Sequence, residues 1–133
     1  MYCRFVFNIP REIQMNIVII EQNKIYRESL KTALDQIPDF KVVFDTDNNS
    51  CFEEIKNLLV HLIFIDCSLG KILCNETINK AILLWPTVRF LFLINFKEEC
   101  NFNNNKTIDV IFKNSTKKEF ENKIRKQLSN EFK

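Results

Sequence analysis

Apolar residues in this chain come in two alternating rhythms: short continuous blocks rich in β-branched residues, and longer stretches in which they recur every three or four positions. Asn16-Ile17-Val18-Ile19-Ile20 is a continuous run of strand length that ends at Glu21-Gln22, the pattern of a strand covered on both faces. From Lys24 the rhythm turns helical. Ile25, Leu30, Ala33, Leu34 and Ile37 gather near one face until Pro38 halts the segment. Phe40 to Phe44 reads as a second strand. Ser50 and Glu53 stand at capping-box spacing, with Phe52, Ile55, Leu58 and Leu59 as the apolar stripe of a second helix. Leu62 to Ile65 is a third strand ending on Asp66, Glu76 to Trp85 a third helix stopped by Pro86, and Arg89 to Ile94 a fourth strand. Val110 to Phe112 is a short fifth strand ending at Lys113. Thr116 with Glu119 repeats the capping-box signature, and Phe120, Ile124, Leu128 and Phe132 mark the buried face of a last helix.

Strands alternating with helices require right-handed crossovers, and so predict an α/β domain: a doubly wound, mostly parallel five-stranded sheet with helices on both faces. Asn95 to Lys106 lacks helical periodicity where the alternation wants a fourth helix, which is therefore expected shortened or missing. Residues 1–14 read as an N-terminal extension, an upstream start or a peripheral strand, ahead of a domain over 15–133, because Met15 immediately precedes the first strong segment.

Length and charge narrow the class. A chain of 133 residues, 46% hydrophobic and 27% charged, suits one domain whose own core needs no disulfide or metal. The net charge of +2 selects no nucleic acid or anionic membrane. The basic run Lys113, Lys117, Lys118, Lys123, Arg125, Lys126 is interleaved with Glu119 and Glu121, as on a solvated helix face. Five cysteines without a C-x-x-C pair, beside the lone His61, argue against zinc and for reduced thiols in a cytoplasmic protein. Apolar runs such as Phe90 to Ile94 are strand-sized, far short of the ~20 residues of a membrane helix. Phe96 and Phe102 are the candidates for exposed apolar contact, the other phenylalanines of this region, Phe112 included, being read as strand core. With Gly70 the only glycine, Asn48-Asn49 and Asn103 to Asn105 are expected to supply turns with positive φ.

In open parallel sheets ligands gather beyond the carboxyl ends of the strands. There the chain places Glu21 and Gln22, Asp66, Ile94 and Asn95, and Lys113. Carboxylates with an amide oxygen suit a hard cation such as Mg²⁺, and an ammonium can pair with a phosphoryl oxygen. A purely structural Asp–Lys pair satisfies the same spacing.

The stretches Glu21 to Leu30, Pro38 to Val43, Leu62 to Leu69 and Thr107 to Lys113 resemble, in order and spacing, the receiver domain of two-component response regulators. The resemblance covers nearly all of Asn16 to Leu128 and implies a flavodoxin-like fold with strand order 2-1-3-4-5. It implies that Asp66 is the phospho-acceptor served by a histidine kinase or other signalling protein and that Lys113 contacts the phosphoryl group. Any Mg²⁺ would then be held by Glu21, Asp66 and the Ser68 carbonyl. Gln22 stands where the family has a second acid, so Mg²⁺ binding is expected to be weak. Ile94 replaces the strand-four hydroxyl residue, Val110 the strand-five aromatic, and the usual Pro-Gly is reduced to Gly70. The expectation is an atypical receiver, not an enzyme. It would act mainly as an interaction module with weak or absent phosphorylation switching, and form a homodimer through the fifth strand and last helix. A conventional receiver phosphorylated on Asp66 is the alternative. A hydrolase using Glu21 and Asp66 lacks a nucleophile–base arrangement, because His61 lies at the far end of its strand.

Overall fold

A computed structural model describes residues 14–50, 52–96 and 107–129. The elements are β1 (Met15–Ile20), α1 (Lys24–Asp35), β2 (Phe40–Thr46), a 3₁₀ turn (Phe52–Ile55), β3 (Leu62–Asp66), a second 3₁₀ turn (Cys67–Leu69), α2 (Lys71–Leu84), β4 (Arg89–Ile94), β5 (Ile108–Phe112) and α3 (Lys117–Ser129). All strand pairs are parallel, in the order β2-β1-β3-β4-β5, with a register irregularity between Ile17 and Val18 against β2. This is the doubly wound, flavodoxin-like arrangement expected.

Side-chain alternation divides the core in two. On one face Val18, Ile20, Ile63, Ile65, Phe90, Phe92 and Ile94 meet Cys74, Ile78 and Ala81 of α2, together with Phe52, Ile55 and Trp85. On the other, Ile17, Ile19, Leu62, Phe64, Leu91, Leu93 and Ile111 meet Leu30 and Leu34 of α1 and Phe120 and Ile124 of α3. The Phe64 and Phe120 rings lie 5.8 Å apart, joining sheet to last helix. Asn23 caps α1 by accepting the Tyr26 N–H at 2.9 Å. Thr116 and Glu119 form the expected capping box: each side chain accepts the other's backbone N–H, at 3.1 and 2.7 Å.

Several expectations are corrected. The second helix contracts to the single 3₁₀ turn at Phe52–Ile55, because Asn48 Oδ1 takes the Ser50 N–H at 2.7 Å and ties Ser50 into a turn instead of a cap. Leu58 and Leu59 are consequently exposed. The third helix begins at Lys71, not Glu76, since Gly70 at φ +99° turns the chain directly into it. Ile25 is 79% exposed and does not join the α1 stripe, and Phe112 is exposed at the end of β5. No non-glycine residue among those described has positive φ, so Asn48-Asn49 turns without it. The expected short fourth helix, the Asn103 to Asn105 turn, Phe102 and Phe132 lie outside the described residues, as do residues 1–13 of the N-terminal extension. Apart from Lys113, which turns inward, the basic run behaves as a solvated face: Lys117 Nζ reaches Gln36 Oε1 at 2.8 Å, Lys123 pairs with Asp109 at 3.0 Å, and Arg125 makes a bidentate pair with Asp39. No helix among the described residues is long and apolar enough to cross a membrane.

Candidate functional site

The site forms because the parallel strands all discharge at one edge. β1 and β3 are neighbours with Ile20 opposite Ile65, so the residues that follow, Glu21 and Asp66, project side by side. β5 lies two strands from β3, and only a long side chain can span β4 between them; Lys113 does, its backbone N–H donating to the Ile94 carbonyl at 2.8 Å. Its Nζ stands 3.1 Å from Asp66 Oδ1 and 3.1 Å from Glu21 Oε1, bridging the two buried carboxylates.

The two Asp66 oxygens are not equivalent. Oδ1 accepts from the Ser68 amide at 3.0 Å, from the Ser68 hydroxyl at 2.7 Å, and faces Lys113. Oδ2 accepts a single long contact, 3.4 Å from the Gln22 N–H, among the described residues. Oδ1 is thus held by several donors, and Oδ2 is the less engaged oxygen. Burial pushes the Asp66 carboxyl up, but the hydrogen bonds from Ser68, then those of Glu21 and Lys113, outweigh it and hold the group below the usual aspartate range. Glu21 moves the other way. Burial, with the adjacent Asp66 charge, raises it above an ordinary glutamate despite the Asn23 N–H at 3.0 Å and the Lys113 ammonium. Burial disfavours the charge on Lys113, yet both carboxylates hold its pKa above the ordinary value. Asp66 and Lys113 are thereby held toward their charged forms, and Glu21 toward its neutral one.

Divalent-cation chemistry can be tested against these oxygens. Glu21 Oε1 is buried and lies within reach of Lys113 but outside hydrogen-bonding geometry, leaving a valence a hard cation could use. Glu21 and Asp66 fit such an ion. Gln22, however, turns its side chain to solvent, and no group of three metal-ligating side chains occurs among the described residues. The Lys113 ammonium also occupies the space between the two acids, so cation and ammonium compete. Ser68 reaches Asp66 through its amide and hydroxyl, orienting the carboxylate directly.

Ile94 is buried in the sheet core and Val110 is half-buried against the same cluster; neither brings a polar atom to the site. Sequence reasoning missed Tyr26. Its hydroxyl donates to the Lys113 carbonyl at 2.9 Å, and its ring lies 5.6 Å from Nζ, fixing the lysine at both ends. Burial, then the Glu21 and Asp66 charges, push the Tyr26 phenol well above its ordinary value, so it remains a donor. It also missed Arg27, which donates to the Glu21 carbonyl and pairs with Asp45 at 3.2 Å, bracing the turn after β1. The signal available was position: both residues lie in the first turn of α1, directly beyond the strand end. Tyr26 and Lys113 open, with Asn23, Asn95 and Asn114, onto a cleft of about 610 Å³.

No family profile matches the chain. A curated relative, the transcriptional regulatory protein DegU of Brevibacillus brevis, is 30% identical over 83 residues, which is 62% of this chain and 35% of that protein. The match thus spans about a third of the relative's length. Solved structures agree on the fold. A chain from the crystal structure of the complex between the CheA3 P1 domain and CheY6 from R. sphaeroides superposes with a TM-score of 0.70 at 19% identity, covering 87% of this chain and 98% of that one. A response regulator from Thermotoga maritima gives 0.68 at 16% identity over 87% and 98%. The signal receiver domain of the putative response regulator NarL from Mycobacterium tuberculosis gives 0.66 at 16% identity over 87% and 97%. The fold of this chain is that of response-regulator receiver domains.

Proposed function

We propose that this chain is an atypical receiver domain in two-component signalling, working mainly as a protein-interaction module whose phosphorylation switch is weak or absent. The observation that carries the reading is the convergence of Asp66, Glu21 and Lys113 within 3.1 Å at the carboxyl edge of the sheet, with Gln22 in place of a second acid after β1 and Ile94 in place of a hydroxyl residue at the end of β4. Asp66 keeps the equipment of a phosphoryl acceptor: an oxygen with few donors, and an ammonium to meet the charge of the incoming group. The residues that would convert phosphorylation into movement are missing, because Ile94 is packed into the core and Val110 carries no ring. The partner is a histidine kinase or another signalling protein; the likeness to a chain from the complex of the CheA3 P1 domain with CheY6 supports a partner of that kind. Mg²⁺, where used, is held weakly by Glu21, Asp66 and the Ser68 carbonyl. The domain is a signalling module, not an enzyme, and makes no nucleic-acid contact of its own; we place it in the cytoplasm, with Cys67 and Cys74 buried as thiols.

A conventional phospho-acceptor is the second reading, favoured by the ionised state of Asp66 and its nearby ammonium. Incubation with acetyl phosphate and Mg²⁺, followed by intact mass, tests the acceptor. Slow, substoichiometric addition of one phosphoryl group that Asp66→Asn abolishes supports the atypical reading, and rapid stoichiometric addition supports the conventional one. Addition that persists in Asp66→Asn refutes both.

A further inference from the structure

We infer that α2 (Lys71–Leu84) is a self-association surface through which two copies of this chain pair antiparallel about a two-fold axis. This stands apart from the phosphoryl site. The helix buries Cys74, Thr77, Ile78 and Ala81 against the sheet, and its outer side, besides the polar Glu76, Asn79 and Lys80, also carries large apolar side chains. Ile72 and Leu83 are each 84% exposed, while Leu73 and Ile82 are each 42% exposed. Ordinary amphipathic helices put charge there.

The spacing is what names the occupant. Ile72 and Leu83 are eleven positions apart, about three turns and about 16 Å along the axis, so they share one face and sit at equal distances from the helix midpoint. Turning a second copy end for end about that midpoint lays Ile72 on the partner's Leu83, with Leu73 along one rim of the seam and Ile82 along the other. The same rotation brings Glu76 against the partner's Lys80, along one rim of the seam, twice. An isologous contact needs this: each residue must meet its complement when the copy is turned through the two-fold. Within one chain Glu76 and Lys80 do not pair but both reach Asn49, at 3.4 and 3.2 Å, which leaves most of the ammonium's and carboxylate's valences facing outward along that rim.

The contraction of the segment before β3 extends the surface. A groove lined by Phe52, Glu53, Lys80, Leu83 and Leu84 lies open beside the helix, where a longer element would have covered it. By contrast the β5–α3 face, expected from sequence to make the homodimer, closes its own charges through Asp109–Lys123. Among its described residues it exposes only Phe112 as a large apolar side chain. A pair of helices of this length buries on the order of 1,000 Å² in total, at the small end of specific interfaces, so association should be concentration-dependent and reversible.

Sedimentation equilibrium of the full chain tests the inference. A mass rising from monomer to dimer with concentration is expected, with Leu83→Asp weakening association at least tenfold at unchanged circular dichroism. Lys80→Glu and Glu76→Lys should each self-associate more weakly than the native chain, and mixing the two should restore a dimer, because the like charges of each variant become opposite charges across the seam. A monomer at all concentrations up to about 1 mM, the weak end of specific association, overturns the proposal. So does a dimer indifferent to Leu83→Asp, or one whose charge variants fail to complement on mixing.

Discussion

Replacing Lys113 by Met removes the ammonium that bridges two buried carboxylates, and the structure sets the scale of the loss. Nζ lies 3.1 Å from an oxygen of each acid, and the lysine side chain is itself only 15% exposed, so solvent screens the interactions little. With an effective dielectric near 20, unit charges 4 Å apart interact by about 4 kcal/mol. In the native site two attractions oppose one repulsion between Glu21 and Asp66; in the variant the repulsion stands alone. Breaking a buried pair by deleting one partner costs about 3–5 kcal/mol, and that is the loss expected at pH 7 from urea unfolding.

The pH dependence supplies the sharper check. Without the ammonium, Glu21, already raised above its ordinary value by burial and by Asp66, would rise further. Groups of that kind contribute stability below the unfolded pKa and lose it as pH rises through the folded pKa. The deficit of Lys113→Met relative to the native chain should therefore shrink from pH 7 to pH 5 as one acid takes up a proton. Mg²⁺ should then stabilise the variant more than the native protein, by mass action at a site the lysine no longer contests. Equal stabilities at pH 7, or a deficit that grows on acidification, would show that Lys113 does not neutralise the pair.

Ile124→Ala, at a fully buried position between α3 and the sheet, should lower stability by about 2–5 kcal/mol, measured by thermal or urea unfolding; an unchanged midpoint would contradict the packing of the last helix. Gly70→Ala should cost about 1–3 kcal/mol through backbone strain at φ +99°, with no steric contribution, since an added Cβ meets nothing within 4 Å. Isothermal calorimetry should find Mg²⁺ affinity weaker than micromolar on the scale of protein Ca²⁺ sites, and tight binding would mean that the loss of an acid at Gln22 is compensated elsewhere.

The strands were legible because buried parallel strands write themselves as continuous apolar blocks, and the acids and lysine at their ends followed from the strand ends alone. Glu21, Asp66 and Lys113 needed no side-chain geometry to be chosen, only the rule that parallel strands end at one edge. What failed was local competition. Ser50 and Glu53 had the spacing of a cap, but Asn48 took the Ser50 N–H first, and Trp85 donates its indole N–H to the Leu58 carbonyl at 2.7 Å, holding the rest of the segment outside a helix. The start of α2 was missed for a different reason: Ile72 and Leu73 face solvent, so the buried periodicity becomes visible only further along. Tyr26 was passed over because a tyrosine in the first turn of an amphipathic helix has the ordinary pattern of packing, and only its 2.9 Å bond to Lys113 distinguishes it.

The switch itself is the remaining step. A ligand shifts a conformational equilibrium only by its difference in affinity for the two states, and inverting a population from 1:99 to 99:1 takes about 5.5 kcal/mol of such difference. By the resemblance to receivers, that difference comes from a strand-four hydroxyl drawn to the phosphoryl group and a strand-five aromatic that fills the space behind it. Here the first position is Ile94, 2% exposed, with no donor to be drawn and its packing lost if it moves. The second is Val110, β-branched and stiff about χ1, already packed against the same cluster. Lys113 holds Asp66 before any ligand arrives, so it contributes to both states and little to their difference. Beryllofluoride, a mimic of the phosphoryl group, should then shift amide resonances around Asp66, Ser68 and Gln22 and leave β5 and α3 in place. Shifts that propagate through Val110 into α3 would refute the argument, because they would require a differential contact that neither Ile94 nor Val110 can make.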